Sequence, residues 1–392
     1  MKIAVLTCGI LPIPPVKGGA VENLIDFYLD YNARHHHHDF AIYSPWDPGV
    51  TRHPSVSAHN DHFYFLDVTS RKARVFRRLH KYFHRQEHYN YFIEYYFESV
   101  YAHLRKQRYD LILLENCPGY ALKLSRRGYD NLVLHLHNDL LNATSRNHDA
   151  IARSLNKVIT VSDYIKGCVA TVMPADKILT IHNGIDLQNF SRHDSPAVSR
   201  QSLGFTADDF ILVYSGRINP DKGVSELIDA LLLLSDHPHI KLMILGGSFF
   251  GNTEHDDDFI RSLKAKAHDV KQRIIFTGFV PYELVPDYLQ VADIAVIPSI
   301  WNDPFPTTEL EAQAMALPII TTLRGGIPEE VTTDNAILLD PDDHFVSRLA
   351  NAILHLSQHP EECRRMSEAS LLHARQFDKD TFSANLLTAL SQ

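Results

Sequence analysis

The chain has little cysteine, few tryptophans, no long apolar run and no excess of basic residues. Its four cysteines, Cys8, Cys117, Cys168 and Cys363, are scattered through 392 residues with no pair at metal-ligand spacing. That argues against a disulfide framework or a cysteine-based metal site and suits a reducing compartment. Each thiol is expected to behave as a small buried hydrophobe. No apolar stretch approaches the ~20 residues of a membrane-spanning helix. Lys and Arg number 38 against 47 Asp and Glu, a formal net charge of -9. A general nucleic-acid binder needs a basic surface to displace counterions from phosphates, so that class is disfavoured. The opening "MKIAVLT" lacks the charged, apolar, small-residue order of a signal peptide. The expected location is the cytoplasm.

What the chain does have is alternation. Short runs rich in Val, Ile and Leu alternate with longer helical stretches, the pattern of parallel sheets covered by helices. The strand candidates in the first half are "KIAVLT", "DFAIYS", "FYFLDV", "YDLILLEN", "NLVLHLHN", "KVITVS" and "KILTIHNG". The second half offers "FILVYSG", "IKLMILGG", "RIIFTGF", "DIAVIPS", "PIITT" and "AILLD". A polar stretch with Gly, Pro and Ser, "NGIDLQNFSRHDSPAVSRQSLGFTADD", separates them and reads as a linker. The expectation is α/β: two doubly wound domains facing across a cleft, residues 1–190 and 191–372, followed by a helix in 373–392 that packs back on the first domain. Its helical spacing is carried by Phe382, Leu386, Leu387 and Leu390. The run His35–His38 reads as a solvated turn.

In such folds ligands sit beyond the carboxyl ends of the strands. After the first strand, Gly18 and Gly19 open a helix with free amides, suited to a phosphate or a sugar hydroxyl. In the second half, Arg217, Lys222 and Gly223 surround a turn at a helix start, a credible diphosphate clamp. His135 and His137 lie on one side of their strand by period two, with His137 at the exit, followed by Asn138 and Asp139. Asp303 and Glu311, eight positions apart, admit two readings. They suit a hydrolase's acid and base, or carboxylates holding sugar hydroxyls beside the amides of Phe305 to Thr308. For Glu309 and Glu311, helix-dipole stabilisation is the plainer role. A dinucleotide dehydrogenase is disfavoured, because Ser248 takes the place of a glycine that the backbone needs to approach a pyrophosphate.

Taken together, these residues resemble the retaining glycosyltransferases of family 4, which have the two-domain GT-B fold. The resemblance covers nearly the whole chain and rests on "VKGGAVEN", "HNGID" from His182 to Asp186, Gly216-Arg217 with Lys222-Gly223, the Asp303/Glu311 pair, and "GGIPE" from Gly325 to Glu329. The opening "LPIPPVKGGAVENLIDF" is similar to the spore coat protein SA subgroup. The resemblance implies transfer of a hexose or N-acetylhexosamine, from a donor expected to be UDP-linked, to a glycan, glycolipid or cell-envelope polymer with retention and without a metal or other cofactor. It also implies that Arg217 and Lys222 neutralise the diphosphate and that Glu311 holds the ribose. Phe279 and Val280 would meet the base. Asp303, Phe305, Pro306, Thr307, Thr308 and the Gly18-Gly19 loop would meet the donor, and Glu22, His137 and Asn138 the acceptor side. His137, Arg217, Lys222 and Asp303 are the residues expected to carry the chemistry. Two departures stand out. Asp303 replaces a glutamate, shortening its reach by ~1.5 Å, and Pro306 replaces a common glycine and removes an amide donor.

Two rivals remain: a catalytically weak sugar-nucleotide-binding or coat-assembly protein on the same fold, and a glycoside phosphorylase, for which no pyridoxal-phosphate lysine motif is present. The stretch 71–108 is basic at both ends and aromatic in the middle. It reads as an ordinary amphipathic helix, or as a contact with the inner face of the membrane through cations on one face and Phe76, Leu79 and Phe83 on another. Oligomeric state is not legible.

Overall fold

A computed structural model of the protein describes residues 1–58, 62–83, 91–247 and 256–392. The apolar runs form two all-parallel sheets. The first contains β1 (Lys2–Leu6), β2 (Asp39–Pro45), β3 (His62–Leu66), β4 (Leu111–Glu115), β5 (Leu132–Leu136), β6 (Lys157–Thr160) and β7 (Ile178–Thr180), in the order β3-β2-β1-β4-β5-β6-β7. The second contains β8 (Phe210–Ser215), β9 (Ile240–Leu245), β10 (Ile274–Gly278), β11 (Ile294–Ile297), β12 (Ile319–Thr322) and β13 (Ala336–Leu339), in the order β10-β9-β8-β11-β12-β13. Every strand candidate read from the sequence is a strand. Strands such as β5 and β11 are buried along their whole length, as strands covered on both faces by helices must be.

Each sheet reverses its winding once, between β1 and β4 in the first and between β8 and β11 in the second. Such switch points leave a crevice at the carboxyl ends of the two flanking strands. Glu115 ends β4, Arg217 follows β8, and Asp303 follows β11, so the topology itself marks these loops.

Internal contacts divide the chain into residues 1–182 with 380–392, and residues 183–379. The polar stretch read as a linker lies along the second unit rather than free. The Ile185 amide donates to the Phe377 carbonyl (2.7 Å) and the Lys379 amide to the Ile185 carbonyl (3.0 Å). The Arg200 guanidinium is held by Val291 O, Asp209 O and the Asp293 carboxylate. These bonds put the division after His182 rather than at 190.

From Asp380 the chain belongs to the first unit. Phe382, Leu386, Leu387 and Leu390 pack with Ile3, Val5, Leu24, Ile25 and Tyr28 in one core, the last three contributed by helix Ala20–His35. In the second unit, Leu227, Ile228 and Leu231 of helix Val224–Leu233 pack with Leu242, Ile244, Val296 and Ile320.

Three expectations change. Only Cys117 is buried; Cys8, Cys168 and Cys363 are partly exposed, and all four are free. Phe76 and Leu79 do not share a face: Phe76 turns inward, edge-on to Tyr95 at 5.7 Å between ring centres, while Leu79 is exposed. In the His35–His38 turn, His36 takes a left-handed conformation that ends helix Ala20–His35, but His38 is partly buried, its Nε2 3.2 Å from the Leu387 carbonyl. Ser248 and the aromatic middle of 71–108 from residue 84 to 90 lie outside the described residues, as does the Phe83 side chain. Among the described residues no helix is long and apolar enough to cross a membrane.

Candidate active site

The expected site residues fall into two sets, one in each unit. In the first unit, β4 and β5 are parallel neighbours with Glu115 opposite His135. This register delivers one carboxylate to two imidazoles. Glu115 Oε2 lies 3.1 Å from His137 Nε2 and 3.0 Å from His135 Nδ1, while Oε1 accepts from the Tyr28 hydroxyl at 3.1 Å. Burial alone would raise the Glu115 carboxyl, but the charges and hydrogen bonds of His135 and His137 outweigh it and lower it to about 2. Burial, reinforced by His135, lowers His137 to about 4. An ionised carboxylate can only accept, so His137 carries its proton on Nε2 and keeps Nδ1 as a lone-pair acceptor. Its backbone N–H donates to Asn116 Oδ1 at 3.1 Å, which fixes the strand exit.

Beside this group, Glu22 lies at the start of helix Ala20–His35, which Gly19 precedes without a side-chain cap. Gly19 sits at φ 116°, and a Cβ there would meet Glu22 Oε2 at 2.2 Å. Only glycine lets this carboxyl fold back over the helix start. Burial raises Glu22 to about 7, its own backbone amide works against that, and the nearby Glu115 charge adds to it. Asn138 spends its side-chain oxygen on the Leu140 amide at 3.0 Å, closing the turn after β5. Glu115, His135 and His137 also form a group whose ligand atoms lie within 4.8 Å of one another, close enough for a divalent ion. Hydrogen bonds hold Glu115 to His137 and Tyr28, while both ring nitrogens of the buried His135 lack a hydrogen-bond partner.

In the second unit, Lys222 Nζ contacts Asp303 Oδ2 directly. The Ser299 hydroxyl reaches the same oxygen at 3.3 Å. Gly223, at φ 69°, packs so tightly on β11 that a Cβ would fall 1.9 Å from the Pro298 carbonyl, which brings the turn carrying Lys222 onto the loop carrying Asp303. Lys222 also lies 5.9 Å from the Trp301 ring centre. Arg217 is exposed beside the turn. Helix Thr307–Ala314 begins after Pro306 with no side-chain cap, so its first-turn amides offer donors and the positive end of the helix dipole.

Glu309 and Glu311, on this helix, are both buried. Burial raises Glu311 to about 8, a hydrogen bond from Thr307 Oγ1 at 3.3 Å partly offsetting it. Burial, with the charge of Asp303, also raises Glu309 to about 8. The Thr321 hydroxyl donates to the Ile297 carbonyl at 2.9 Å and approaches Glu309 Oε1 at 3.3 Å, while the Thr308 hydroxyl donates to Glu309 Oε2 at 2.9 Å. Glu330 is fully buried with neither carboxyl oxygen hydrogen-bonded. Its burial, then the charges of Glu309 and Asp303, push it far up.

Of the residues singled out from the sequence, the structure brings Lys222 to Asp303, and Glu311 to Thr307; Glu115, Tyr28, Glu330 and the burial of Glu309 were not read from it. A signal for Glu115 was present: a carboxylate ending an otherwise apolar strand, as His137 follows the next. Phe279 and Val280 follow β10, separated from β8 by β9, so they lie at the edge of the sheet.

Two family profiles cover most of the chain: Glycosyltransferase Family 4 over residues 28–189 and Glycosyl transferases group 1 over residues 197–372. The "Putative glycosyltransferase YtcC" of Bacillus subtilis is 27% identical over 405 residues, 100% of this chain and 92% of the relative. "Spore coat protein SA" of the same organism is 26% identical over 402 residues, 99% of this chain and 98% of the relative. Among solved structures, Anabaena Alr3699/HepE in complex with UDP superposes with a TM-score of 0.74 at 21% identity over 100% of both chains. WaaG, a glycosyltransferase involved in lipopolysaccharide biosynthesis, superposes at 0.70 and 15% identity, covering 100% of this chain and 99% of WaaG. The fold is GT-B, and the chain belongs to the family 4 glycosyltransferases.

Proposed function

We propose that the protein transfers a hexose or N-acetylhexosamine from a UDP-sugar to a glycan, glycolipid or cell-envelope polymer, with retention of the α-configuration. The observation that carries this reading is the second unit's Lys222–Asp303 pair beside an uncapped helix start and the buried Glu311. Lys222 is pre-paired with a carboxylate that a diphosphate would displace. On donor binding Lys222 and Arg217 turn to the phosphates, and Asp303 is freed to accept from a sugar hydroxyl. Glu311 accepts from ribose hydroxyls, which favours its ionised form and releases a proton. Phe279 and Val280 lie against the base, and the Thr307 and Thr308 amides donate to sugar and phosphate oxygens.

In the step itself, the bond from the sugar's anomeric carbon to the diphosphate oxygen breaks and its electron pair leaves with UDP. The acceptor oxygen bonds to the same face of that carbon and gives its proton to the departing diphosphate. Lys222 and Arg217 stabilise the charge that develops there, where most of the rate gain is expected. His137, neutral, is the first unit's acceptor-side residue, with Glu22, Asn138 and the Gly18-Gly19 loop. No metal ion enters this step. Relatives support the substrate class: "Lipopolysaccharide 1,2-N-acetylglucosaminetransferase" of Salmonella typhimurium is 26% identical over 201 residues, 51% of each chain.

A thermal-shift panel of UDP, GDP, ADP and their sugars tests the reading. The matching nucleotide at a hundredfold excess over its Kd stabilises the protein by about 2.7 kcal/mol. Glu311→Ala is expected to lose most of that shift, and Asp303→Ala to lose mainly discrimination among sugars. Wild-type shifts in both variants would remove the pair from the site, and no shift with any nucleotide would remove the reading. The full-length match to spore coat protein SA sustains a second reading, a sugar-nucleotide-binding coat protein. Tight UDP binding without turnover across donors and acceptors would favour it, and proton NMR of any product reads the anomeric outcome.

A further inference from the structure

Helix Arg71–Phe83 contains Arg71, Lys72, Arg74, Arg77, Arg78 and Lys81 and no acid in 13 residues, within a chain of net charge -9. Its inward face is set by Ala73, which is buried, and Phe76, packed on Tyr95 of helix Tyr91–Leu104. Away from that face stand Val75, Leu79 and Tyr82, 61%, 55% and 67% exposed. At 3.6 residues per turn the three fall within a sector of about 60°, with Arg71 and Arg78 on one border and Lys72 on the other. Single exposed apolar residues are ordinary on protein surfaces. An aligned apolar stripe bordered only by cations is the geometry of a helix lying in a bilayer interface.

We propose that this face docks the protein on an anionic lipid surface, with Val75, Leu79 and Tyr82 entering the acyl boundary and Arg71, Lys72, Arg74 and Arg78 meeting lipid phosphates. A soluble polyanion would use the cations and leave the apolar stripe in water. A bilayer uses both, and it attracts the basic helix although the protein as a whole is acidic, because screening confines each charge's reach to about 8 Å at physiological salt. The proposal does not rest on the transferase reading. A chain that stays off membranes can still turn over a nucleotide sugar, and one that binds them can still lack turnover.

Flotation of the full-length chain with phosphatidylcholine vesicles, with and without phosphatidylglycerol, is the test. The chain is expected to float only with the anionic lipid and to float less as salt is raised. Arg71→Glu/Arg74→Glu/Arg78→Glu is expected to cut partitioning by at least tenfold, since each cation near the surface is worth about fivefold. Val75→Asp/Leu79→Asp is expected to abolish flotation even at low salt. All five positions are exposed, so both variants should melt with the wild type, which separates lost docking from lost folding. Equal recovery in the unbound fraction with both vesicles overturns the proposal. So does flotation of Val75→Asp/Leu79→Asp at the wild-type level, or capture by a soluble polyanion with no flotation, which would mark the helix as a polyanion site instead.

Discussion

The two units use the same sheet edge for opposite electrostatics. In the first, Glu115 is buried between imidazoles and a tyrosine hydroxyl, and it is ionised down to about 2. In the second, Glu309 and Glu311 are buried with hydroxyls as their near partners, and both rise to about 8. Burial acts in the same direction on all three carboxyls; what differs is whether donors surround them. The first cluster gives its carboxylate hydrogen bonds from His137 and Tyr28 and holds His137 in one tautomer. In the second the near donors are neutral hydroxyls, and under the proposed function a sugar nucleotide's hydroxyls would add further donors on the carboxyl side. Lys222 there is held by Asp303, and under the proposed function a diphosphate would compete for it.

Removing that cation should break the comparison most severely. Lys222→Ala is expected to lower turnover by about 10³-fold, the scale for deleting a group aimed at developing charge. It also strands Asp303, which is 5% exposed, at a stability cost of about 3 kcal/mol. Lys222→Ala/Asp303→Ala should recover most of the stability and none of the turnover. Chemical denaturation and steady-state rates on the same preparations separate the two effects. If the single variant were as stable as the wild type, the pair would not be a buried ion pair in solution.

The first cluster breaks differently. Glu115→Gln keeps the shape but offers His137 Nε2 a carboxamide in place of an anion, so the tautomer is no longer enforced. Turnover is expected to fall by about 10²-fold, the scale for misplacing a group that positions the substrate. The sign of the pH effect follows from depressed pKa values. Glu115 contributes stability that is present above its unfolded value of 4.5 and is lost as pH falls through about 2. His137, held neutral, loses its share as pH falls from 6.5 to about 4. Urea midpoints between pH 2 and 6 should therefore drop in two stages for the wild type, with the lower stage missing in Glu115→Gln. An unchanged lower stage would put the acid sensitivity elsewhere.

How far the sequence carried these features depends on their origin. The strands were legible because a parallel strand buried on both faces is an uninterrupted apolar run, and "LVLHL" declared β5 despite His135. Gly223 was legible as a turn, but not the 1.9 Å approach to the Pro298 carbonyl that demands it, since that contact joins residues far apart in the chain. Glu115 was overlooked because its meaning lies in the register of β4 against β5, which no local pattern encodes. Glu309 and Glu330 were misread or missed for the same reason. A carboxylate in a helix's first turn, or in the "GGIPEE" loop, has the same sequence signature whether it points to water or into the interior, and polar residues carry no periodicity that distinguishes the two.

The smallest expected effect bears directly on that buried glutamate. If Glu309 is a neutral acid, then Glu309→Gln supplies a group of similar shape with nothing left to titrate. Its raised pKa means that the wild type has this stability in full below about 4.5 and loses it as pH rises through about 8. The native state must ionise the group in a buried site, whereas the unfolded chain does so freely in water. Glu311 titrates over the same window, so the variant flattens only part of the slope, by about 2 kcal/mol between pH 5 and 9 when discounted for the relaxation that a charged interior group induces. Melting temperatures measured across that range should converge for wild type and variant at low pH and separate at high pH, with the variant higher. Parallel profiles would mean that Glu309 is ionised at neutral pH. The second unit would then carry one more buried negative charge near Asp303, whose own charge opposes it.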